Sequence, residues 1–499
     1  MRVAFLTPLP PARTGIAHYA SMILPALAQR AQVTAVATAG DVSQEASFRI
    51  IPFSDYRRGD FDVAVYQLGN NPFHEAIYRE ALSYPGIAVL HDAILHHLIV
   101  EMTLARGDAT GYISALTRNH GEAGRAWATA RAAGLHGEIG NFLFPACVEV
   151  ANRSRAVIVH NRYAADWLRS GGVISPVHVV PHPFVEEPSR GARDTTRAAL
   201  GFESQHRVIG LFGFLTSAKR AEVVVDAFRR AQAVDSELRL LIVGEWSPNI
   251  DIAAIAGSGV VTTGYVSDAE FGAYYEACDR FVNLRYPSAG ETSGTLIRAM
   301  GAGKPVAVSD YAQFAELPET CVTRVAFGEK ESADLAAFMT ANFDETAIAT
   351  AQRAWLARNA TLDQAAAEYI RILESDDQSP VPPHAARSLP LFPQLEVRSL
   401  QPLGSLLRVM VRNIGDAPLR TRTYGEPGYR MIAKLYDARG EVANRWIELD
   451  RDLQPGGETS VRWAPPVAPG RFVLTLHHAA EGLPMLEAPE WYRAEVRFV

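Results

Sequence analysis

Lysine is nearly missing from this 499-residue chain. Of 48 basic side chains only four are lysines, Lys219, Lys304, Lys330 and Lys434, and the first 200 residues hold none. A GC-rich genome that writes Arg and Ala accounts for most of that. A lysine that survives such a bias stands where a compact ammonium serves and the planar fork of arginine does not. Cysteine is equally scarce. Cys147, Cys278 and Cys321 lie far apart and form no CxxC, which excludes a zinc spacing or a disulfide framework and fits a reducing compartment. No block of the chain is basic: residues 1–200, 201–394 and 395–499 carry net charges of +1, -9 and +1 within a total of -7. A sequence-independent nucleic-acid binder is thereby excluded. No apolar run reaches the ~18 residues of a membrane span. The start MRVAFLTPLPP, broken by Pro8, is too short an apolar run for a signal peptide.

The remaining composition, 48% hydrophobic and 21% charged, is that of a folded globular chain. Its length suits two to four domains at ~100–200 residues each. The first two-thirds alternate short apolar runs with amphipathic stretches. Val3–Leu6, Val33–Ala37, Asp62–Gln67, Ile87–His91, Ala156–His160 and His178–Val180 read as strands, with helices at Ala17–Arg30 and Asn161–Ser170 among others. Strands apolar throughout are those of a parallel sheet covered by helices on both faces. The pattern restarts with strands Val208–Phe212, Leu238–Val243, Val260–Thr263, Arg280–Leu284 and Val306–Ser309, and helices Ala221–Ala233 and Asp268–Ala277. One last helical stretch is expected over about Thr346–Glu374.

Two doubly wound Rossmann-like α/β domains are therefore expected at 1–185 and 186–375, followed by a Pro-rich linker at 376–394. From 395 the period changes to 2. Leu406–Arg412, Arg430–Tyr436, Thr459–Trp463 and Phe472–His477, separated by the turn signals NIGD, DARG, QPGGE and APG, predict an antiparallel β-sandwich of immunoglobulin type over 395–499. Trp446, Trp463, Trp491 and Tyr492 read as core or edge residues of that module rather than sugar platforms.

In open α/β sheets ligands bind beyond the carboxyl ends of the strands, so chemistry is sought in the loops there. PLPPARTGIAHYA (8–20) is such a loop, with Gly15 at the start of a helix, where a ligand can approach backbone N–H groups. YQLGNNPFH (66–74) precedes PGIAVLHD (85–92), whose His91 and Asp92 end an apolar strand. His96 and His97 read as structural, and HDAILHHL does not match the HExxH of a zinc site. GLFGFLTSAKRAEVVVDAF (210–228) lacks both GxGxxG and GxxxxGK[ST], which disfavours dinucleotide binding and a phosphate-loop NTPase. It does place Lys219 and Arg220 at a helix start, where a cation beside amides suits a diphosphate. NLRYPSAGETSGTLIRAMGAGKPVAVSD (283–310) contributes Arg285, Glu291 and Arg298, with Thr292, Ser293 and Gly294 opening a helix. GETSG is not the GxSxG nucleophile elbow. GAGKPV is a Gly-capped helix end, so Lys304 reads as structural.

PPARTGIAHYA, QLGNNPFH, VLHD, GFLTSAK, LLIVGE, TGYVSDAE and RYPSAGETSG…GKPVAVSD, in this order over residues 1–375, resemble the family 4 glycosyltransferases, retaining enzymes of the GT-B fold. The shorter, Arg-containing GETSG version resembles a bacterial subset associated with cell-envelope polysaccharides. The resemblance implies a metal-independent hexosyl transfer from a nucleoside-diphosphate sugar to a saccharide or lipid-linked saccharide. No cofactor and no nucleic acid take part.

The roles it implies are these. The Gly15 loop borders the acceptor and the donor phosphates, His91 lies near the transferred sugar, Lys219 neutralises the diphosphate, and Glu291 holds the sugar hydroxyls. His91, Lys219 and Glu291 are thus the catalytic candidates. Gly15, Asp92, Arg220, Arg285, Thr292, Ser293, Gly294 and Arg298 are the binding candidates. Two positions depart from the family: Phe214 stands where Arg is usual, and Arg298 where a second Glu holds the ribose. Arg220, Arg285 or Arg298 is expected to supply the missing positive charge. The C-terminal module is similar to β-sandwiches beside bacterial polysaccharide enzymes. The expected location is the cytoplasm, with a peripheral contact at the inner face of the membrane left open. Residues 101–170, with eight Arg and six acids, are too weakly biased to make a surface anchor. Another GT-B enzyme, an epimerase or a phosphorylase, and a non-catalytic glycan-binding scaffold are the competing readings.

Overall fold

The computed structural model describes residues 1–40, 46–135, 139–186, 191–247, 250–375, 395–415, 419, 430–448, 453–479 and 490–498; all counts below refer to these. The expected linker 376–394 and the side chains of Trp446 and Trp491 lie outside them. By its contacts the chain divides into two units, residues 1–115 with 129–387, and residues 116–128 with 388–499.

The larger unit contains two parallel sheets. The first consists of β1 (Arg2–Pro8), β2 (Gln32–Ala39), β3 (Arg49–Pro52), β4 (Val63–Leu68), β5 (Ile87–Leu90), β6 (Ala156–Val159) and β7 (Val177–Val179), in the order β3-β2-β1-β4-β5-β6-β7. The second consists of β8 (Arg207–Phe212), β9 (Leu238–Val243), β10 (Val260–Thr262), β11 (Arg280–Asn283), β12 (Val306–Ser309) and β13 (Thr323–Val325), in the order β10-β9-β8-β11-β12-β13. In each the order reverses beside the first strand of the domain, which opens a crevice at the carboxyl ends. The strands are apolar because helices cover both faces: β4 and β5 are buried at every position. Strands β3 and β13 escape the sequence reading because they are short edge strands, RIIP and TRV, with no apolar run of their own.

The single helical stretch expected over 346–374 is corrected to two helices, Glu345–Asn359 and Leu362–Glu374. Thr361 starts the second by accepting from the Gln364 amide at 3.2 Å. The break lets them serve different cores. Leu356 of the first packs in the second domain with Met300 and Phe314. Ala365, Ala366, Tyr369, Ile372 and Leu373 of the second join the core of the first domain with Phe5, Tyr19 and Leu24. Where the chain crosses between domains the two passes touch, Phe184 N–H donating to the Ala360 carbonyl at 2.7 Å. The ring of Phe184 fills the space a side chain at Gly301 would need.

The smaller unit carries an antiparallel sandwich. β14 (Leu395–Leu403), β15 (Leu406–Asn413) and β18 (Glu458–Trp463) form one sheet; β16 (Arg430–Asp437), β17 (Gly440–Glu448), β19 (Gly470–Ala479) and β20 (Glu490–Phe498) form the other. Alternate residues Leu407, Val409 and Val411 of one sheet share a core with Met431, Ala433, Leu435, Leu474 and Leu476 of the other. The seven strands divide three and four, with the fourth, β17, hydrogen-bonded to β16 on the sheet of β19 and β20, so the sandwich is immunoglobulin-like without the constant-type arrangement, which puts its fourth strand on the other sheet. Trp463 is buried in that core and Tyr492 packs against it. Lys434, one of the four lysines, is a buried strand residue paired with Glu441 at 3.5 Å.

Candidate active site

Three neighbouring strands of the first domain end in polar side chains. The register sets Gln67 opposite Val89 and Val89 opposite Ile158, so the residues just past β5 and β6, His91 and His160, lie side by side. His91 Nε2 is 2.6 Å from Gln67 Oε1, and His91 Nδ1 is 3.1 Å from His160 Nε2. His160 Nδ1 donates to the Val180 carbonyl at 2.8 Å. Tyr19, from the helix Gly15–Ala28, packs its ring against His91, His160 and His182, with centroids 4.7, 5.0 and 5.2 Å away. Its hydroxyl meets that of Tyr369 at 2.9 Å. Burial holds all three imidazoles neutral: His160 is lowered to about 4, His182 to about 3, and His91 well below its ordinary value, where burial is aided by repulsion from His160.

The matching ends of the second domain carry charge. Lys219 closes a short 3-10 turn, Ser217–Lys219, is 5% exposed, and donates from Nζ to the Phe212 carbonyl. A Cβ on Gly213, whose φ is +100°, would sit 2.7 Å from that Nζ, so only glycine leaves the ammonium its place. Arg285 Nε pairs with Glu291 Oε1 at 2.6 Å. The Ala289 amide donates to Glu291 Oε2 at 2.9 Å, and Gln313 Nε2 donates to the Glu291 carbonyl at 2.6 Å. Burial, then the charge of Arg285, hold the Lys219 ammonium well below its ordinary pKa, while Glu291 pulls it back up. Ser293 caps the helix Gly294–Gly301, accepting from the Leu296 amide at 3.3 Å.

The two domains of this unit meet through the same loops. The Ala93 amide donates to the Ala289 carbonyl at 2.7 Å, and Asn161 Nδ2 donates to the Gly290 carbonyl at 2.8 Å and to Thr292 Oγ1 at 3.1 Å. Gly290, at φ +74°, is wedged between Ala93 and Ala164, either of which would lie 3.2 Å from a Cβ there. Asp92 accepts from the Asn70 amide at 2.9 Å. Its carboxyl is pushed up to about 7 by burial first and the negative charge of Glu291 second. Opposite the Glu316 carboxylate, the Tyr163 amide donates at 2.6 Å.

The structure thus brings His91, Asp92, Lys219, Arg285, Glu291, Thr292, Ser293 and Gly294 to one interface between strand ends. Gly15 stands exposed at its helix start with nothing near its Cα side, Thr14 capping that helix. Arg220 is directed elsewhere. At φ +55° its guanidinium pairs with Glu331 through Nε at 2.8 Å and Nη2 at 2.5 Å, and lies over Phe327. Arg298 Nη2 reaches His18 Nε2 of the first domain at 2.9 Å and stacks over Phe271. Phe214 is exposed. His96 bonds the Phe144 carbonyl at 2.5 Å and the Tyr112 hydroxyl at 2.6 Å, a structural role, and Lys304 pairs with Glu345 at 3.1 Å. Sequence reasoning missed Gln67, His160, His182, Asn161 and Tyr369. Gln67 and His160 carried a readable signal, since each is a polar residue at the carboxyl end of an apolar strand. Among the described residues no group of three or more His, Cys, Asp or Glu is arranged to hold a metal ion.

Residues 206–344 match the family described as glycosyl transferases group 1. Three solved structures share the fold. HepE (Alr3699) of Anabaena, in complex with UDP and glucose, has a TM-score of 0.52 and 16% identity, covering 75% of this chain and 99% of that one. Sucrose-phosphate synthase of Thermosynechococcus elongatus gives 0.51 and 15%, covering 74% and 98%. WaaG, a glycosyltransferase involved in lipopolysaccharide biosynthesis, gives 0.50 and 15%, covering 75% and 100%. The comparison with curated proteins finds no match. The matched domain and the two-sheet fold define the class: a glycosyltransferase of the GT-B architecture.

Proposed function

We propose that the protein is a retaining glycosyltransferase of family 4, moving a sugar from a nucleoside-diphosphate sugar to a saccharide or lipid-linked saccharide in cell-envelope polysaccharide synthesis. The observation that carries this reading is the buried Lys219–Arg285–Glu291 group set against His91 and Asp92 across the domain interface. A departing diphosphate needs positive charge and oriented N–H donors, and such electrostatic stabilisation is usually the largest catalytic term. Lys219, Arg285 and the amides opening the helix Gly294–Gly301 supply both without a metal or a cofactor. Glu291, its carboxylate fixed by Arg285 and the Ala289 amide, is placed to accept from sugar hydroxyls.

Two carboxyls lie near the reacting region, Asp92 and Glu291. Asp92 is held toward its protonated form and Glu291 is tied to Arg285, so neither is a ready nucleophile for double displacement. The route proposed is attack on the face the diphosphate leaves, the departing phosphate taking the proton of the acceptor hydroxyl. HepE with UDP and glucose, and WaaG with its lipopolysaccharide role, support the donor and acceptor classes. Nucleic acid is no partner in this reading. No helix among the described residues is long and apolar enough to cross a membrane. The proposed location is the cytoplasm, at the inner membrane face where lipid-linked acceptors are met.

A nucleotide-release screen of UDP-, GDP- and dTDP-sugars with lipid-linked saccharide acceptors tests the reading. Release that requires both donor and acceptor supports it; isomerised donor without acceptor favours an epimerase, and sugar binding with no release in any combination favours a scaffold.

A further inference from the structure

The polar ends of β4, β5 and β6 form a hydrogen-bonded chain whose proton count can be worked out. His160 Nδ1 faces the Val180 carbonyl at 2.8 Å, and a carbonyl only accepts, so His160 is protonated on Nδ1 and its Nε2 offers a lone pair. His91 Nδ1 faces that lone pair at 3.1 Å. With Gln67 Oε1 turned to His91 Nε2 at 2.6 Å, His91 would have to donate from Nε2. Two lone pairs would then oppose each other between the rings, and Gln67 Nε2 would be left buried without a partner.

Both faults have one remedy. Turning the Gln67 amide by half a revolution lets Nε2–H donate to His91 Nε2, and His91 Nδ1–H then donates to His160. The freed Gln67 Oε1 then takes the side turned to the neighbouring Tyr369 hydroxyl, which can donate to it while meeting that of Tyr19. Every member of the chain is then satisfied with all rings neutral. The alternative, an added proton shared by the two imidazoles, places a charge in a buried group. His74, His182 and Tyr19 lie about it, and the next residue in the chain, Asp92, is an acid itself held toward its neutral form.

We propose that Gln67 and His160 are positioning residues that lock His91 as a neutral imidazole protonated on Nδ1. Both of its nitrogens are consumed inside the protein, so it borders the sugar as a fixed wall and carries no proton to or from it. This rests on the reading of His91 as a sugar-side residue, but its decisive measurement does not.

The full-length protein labelled with 15N-histidine, studied by long-range 1H–15N correlation between pH 6 and 8, reports the tautomer directly; His91→Gln identifies the signal. The expected result is an Nδ1-protonated ring that does not titrate in that range. An Nε2-protonated or titrating ring overturns the proposal. Gln67→Glu offers a carboxylate in place of the N–H donor, so the His91 ring is expected to become doubly protonated near pH 7. kcat should fall about tenfold or more, and donor KM should change much less. His160→Leu should lower kcat similarly, with partial recovery in His160→Gln. Wild-type kcat in Gln67→Glu and His160→Leu, with the tautomer unchanged, also overturns it. If no donor supports turnover, the function reading fails while the NMR result still decides the tautomer.

Discussion

The two α/β domains use one layout for opposite ends. Each sheet presents its strand termini to the other, yet the first offers neutral rings and amides, Tyr19, Gln67, His91, His160 and His182, while the second offers Lys219, Arg285 and Glu291. The difference teaches a division of labour. On the proposed reading the uncharged wall fixes the shape of the site and the orientation of the sugar. On that reading the charges that would answer a leaving diphosphate are concentrated on the other side, where Arg285 and Glu291 hold each other in place.

The sharpest way to break this comparison is to remove the charge. Lys219→Ala is expected to cost ~10²-fold or more in turnover, by analogy with the loss of one charge-stabilising donor. Near-normal steady-state rates in the purified variant would show that the second domain does not work through Lys219. Lys219→Arg asks a finer question. If the niche beside Gly213 admits only an ammonium, the arginine variant should stay close to the alanine one.

Proton linkage sharpens the same contrast. The Lys219 ammonium is held at low proton affinity by burial and Arg285, and a diphosphate would restore it, so donor binding should take up a proton and weaken as pH rises. Calorimetry in buffers of different ionisation enthalpy measures that uptake, and binding with no proton exchange would contradict it.

The neutral wall predicts a stability signature of the other sign. His91, His160 and His182 have folded pKa values below the ordinary 6.5, so the unfolded chain binds protons first. Their contribution is fully present above about pH 6.5 and lost as pH falls toward 4. The denaturant midpoint of the wild type should fall as pH is lowered through that window, and His160→Gln should lessen the fall. Asp92 runs oppositely. Its carboxyl, raised to about 7, keeps its proton longer in the fold, so its contribution is lost as pH rises from about 4 to 7. Asp92→Asn should therefore be relatively more stable at pH 8 than at pH 4. The smallest effect is expected at the rim. Arg298→Ala breaks the contact with His18 and should raise donor KM with kcat little changed. An unchanged KM would remove Arg298 from donor binding.

Much of the fold was legible because buried parallel strands announce themselves as apolar runs: Leu238–Val243 and Val306–Ser309 are read from sequence to the residue. The edge strands Arg49–Pro52 and Thr323–Val325 were not, since an edge needs little apolar surface. Nor was the break at Ala360–Thr361, where a helical pattern continues across a change of partner. At the site, motifs pointed to Lys219 and Glu291, but not to the Glu331 that takes Arg220. That pairing joins residues 111 positions apart, and no local pattern encodes it. The same holds for His160, whose importance lies in a neighbour 69 positions away.

The helix Leu362–Glu374 has a consequence for how the protein is made. It supplies Ala365, Ala366, Tyr369, Ile372 and Leu373 to a core whose other buried members lie in residues 3–180. A ribosome adding 5–20 residues per second reaches that helix roughly 10–40 s after Val180. Through that interval the nascent first domain waits with an unfilled apolar face beside Tyr19, a natural landing site for a chaperone. Release of the chain before residue 362 should leave that face open for good.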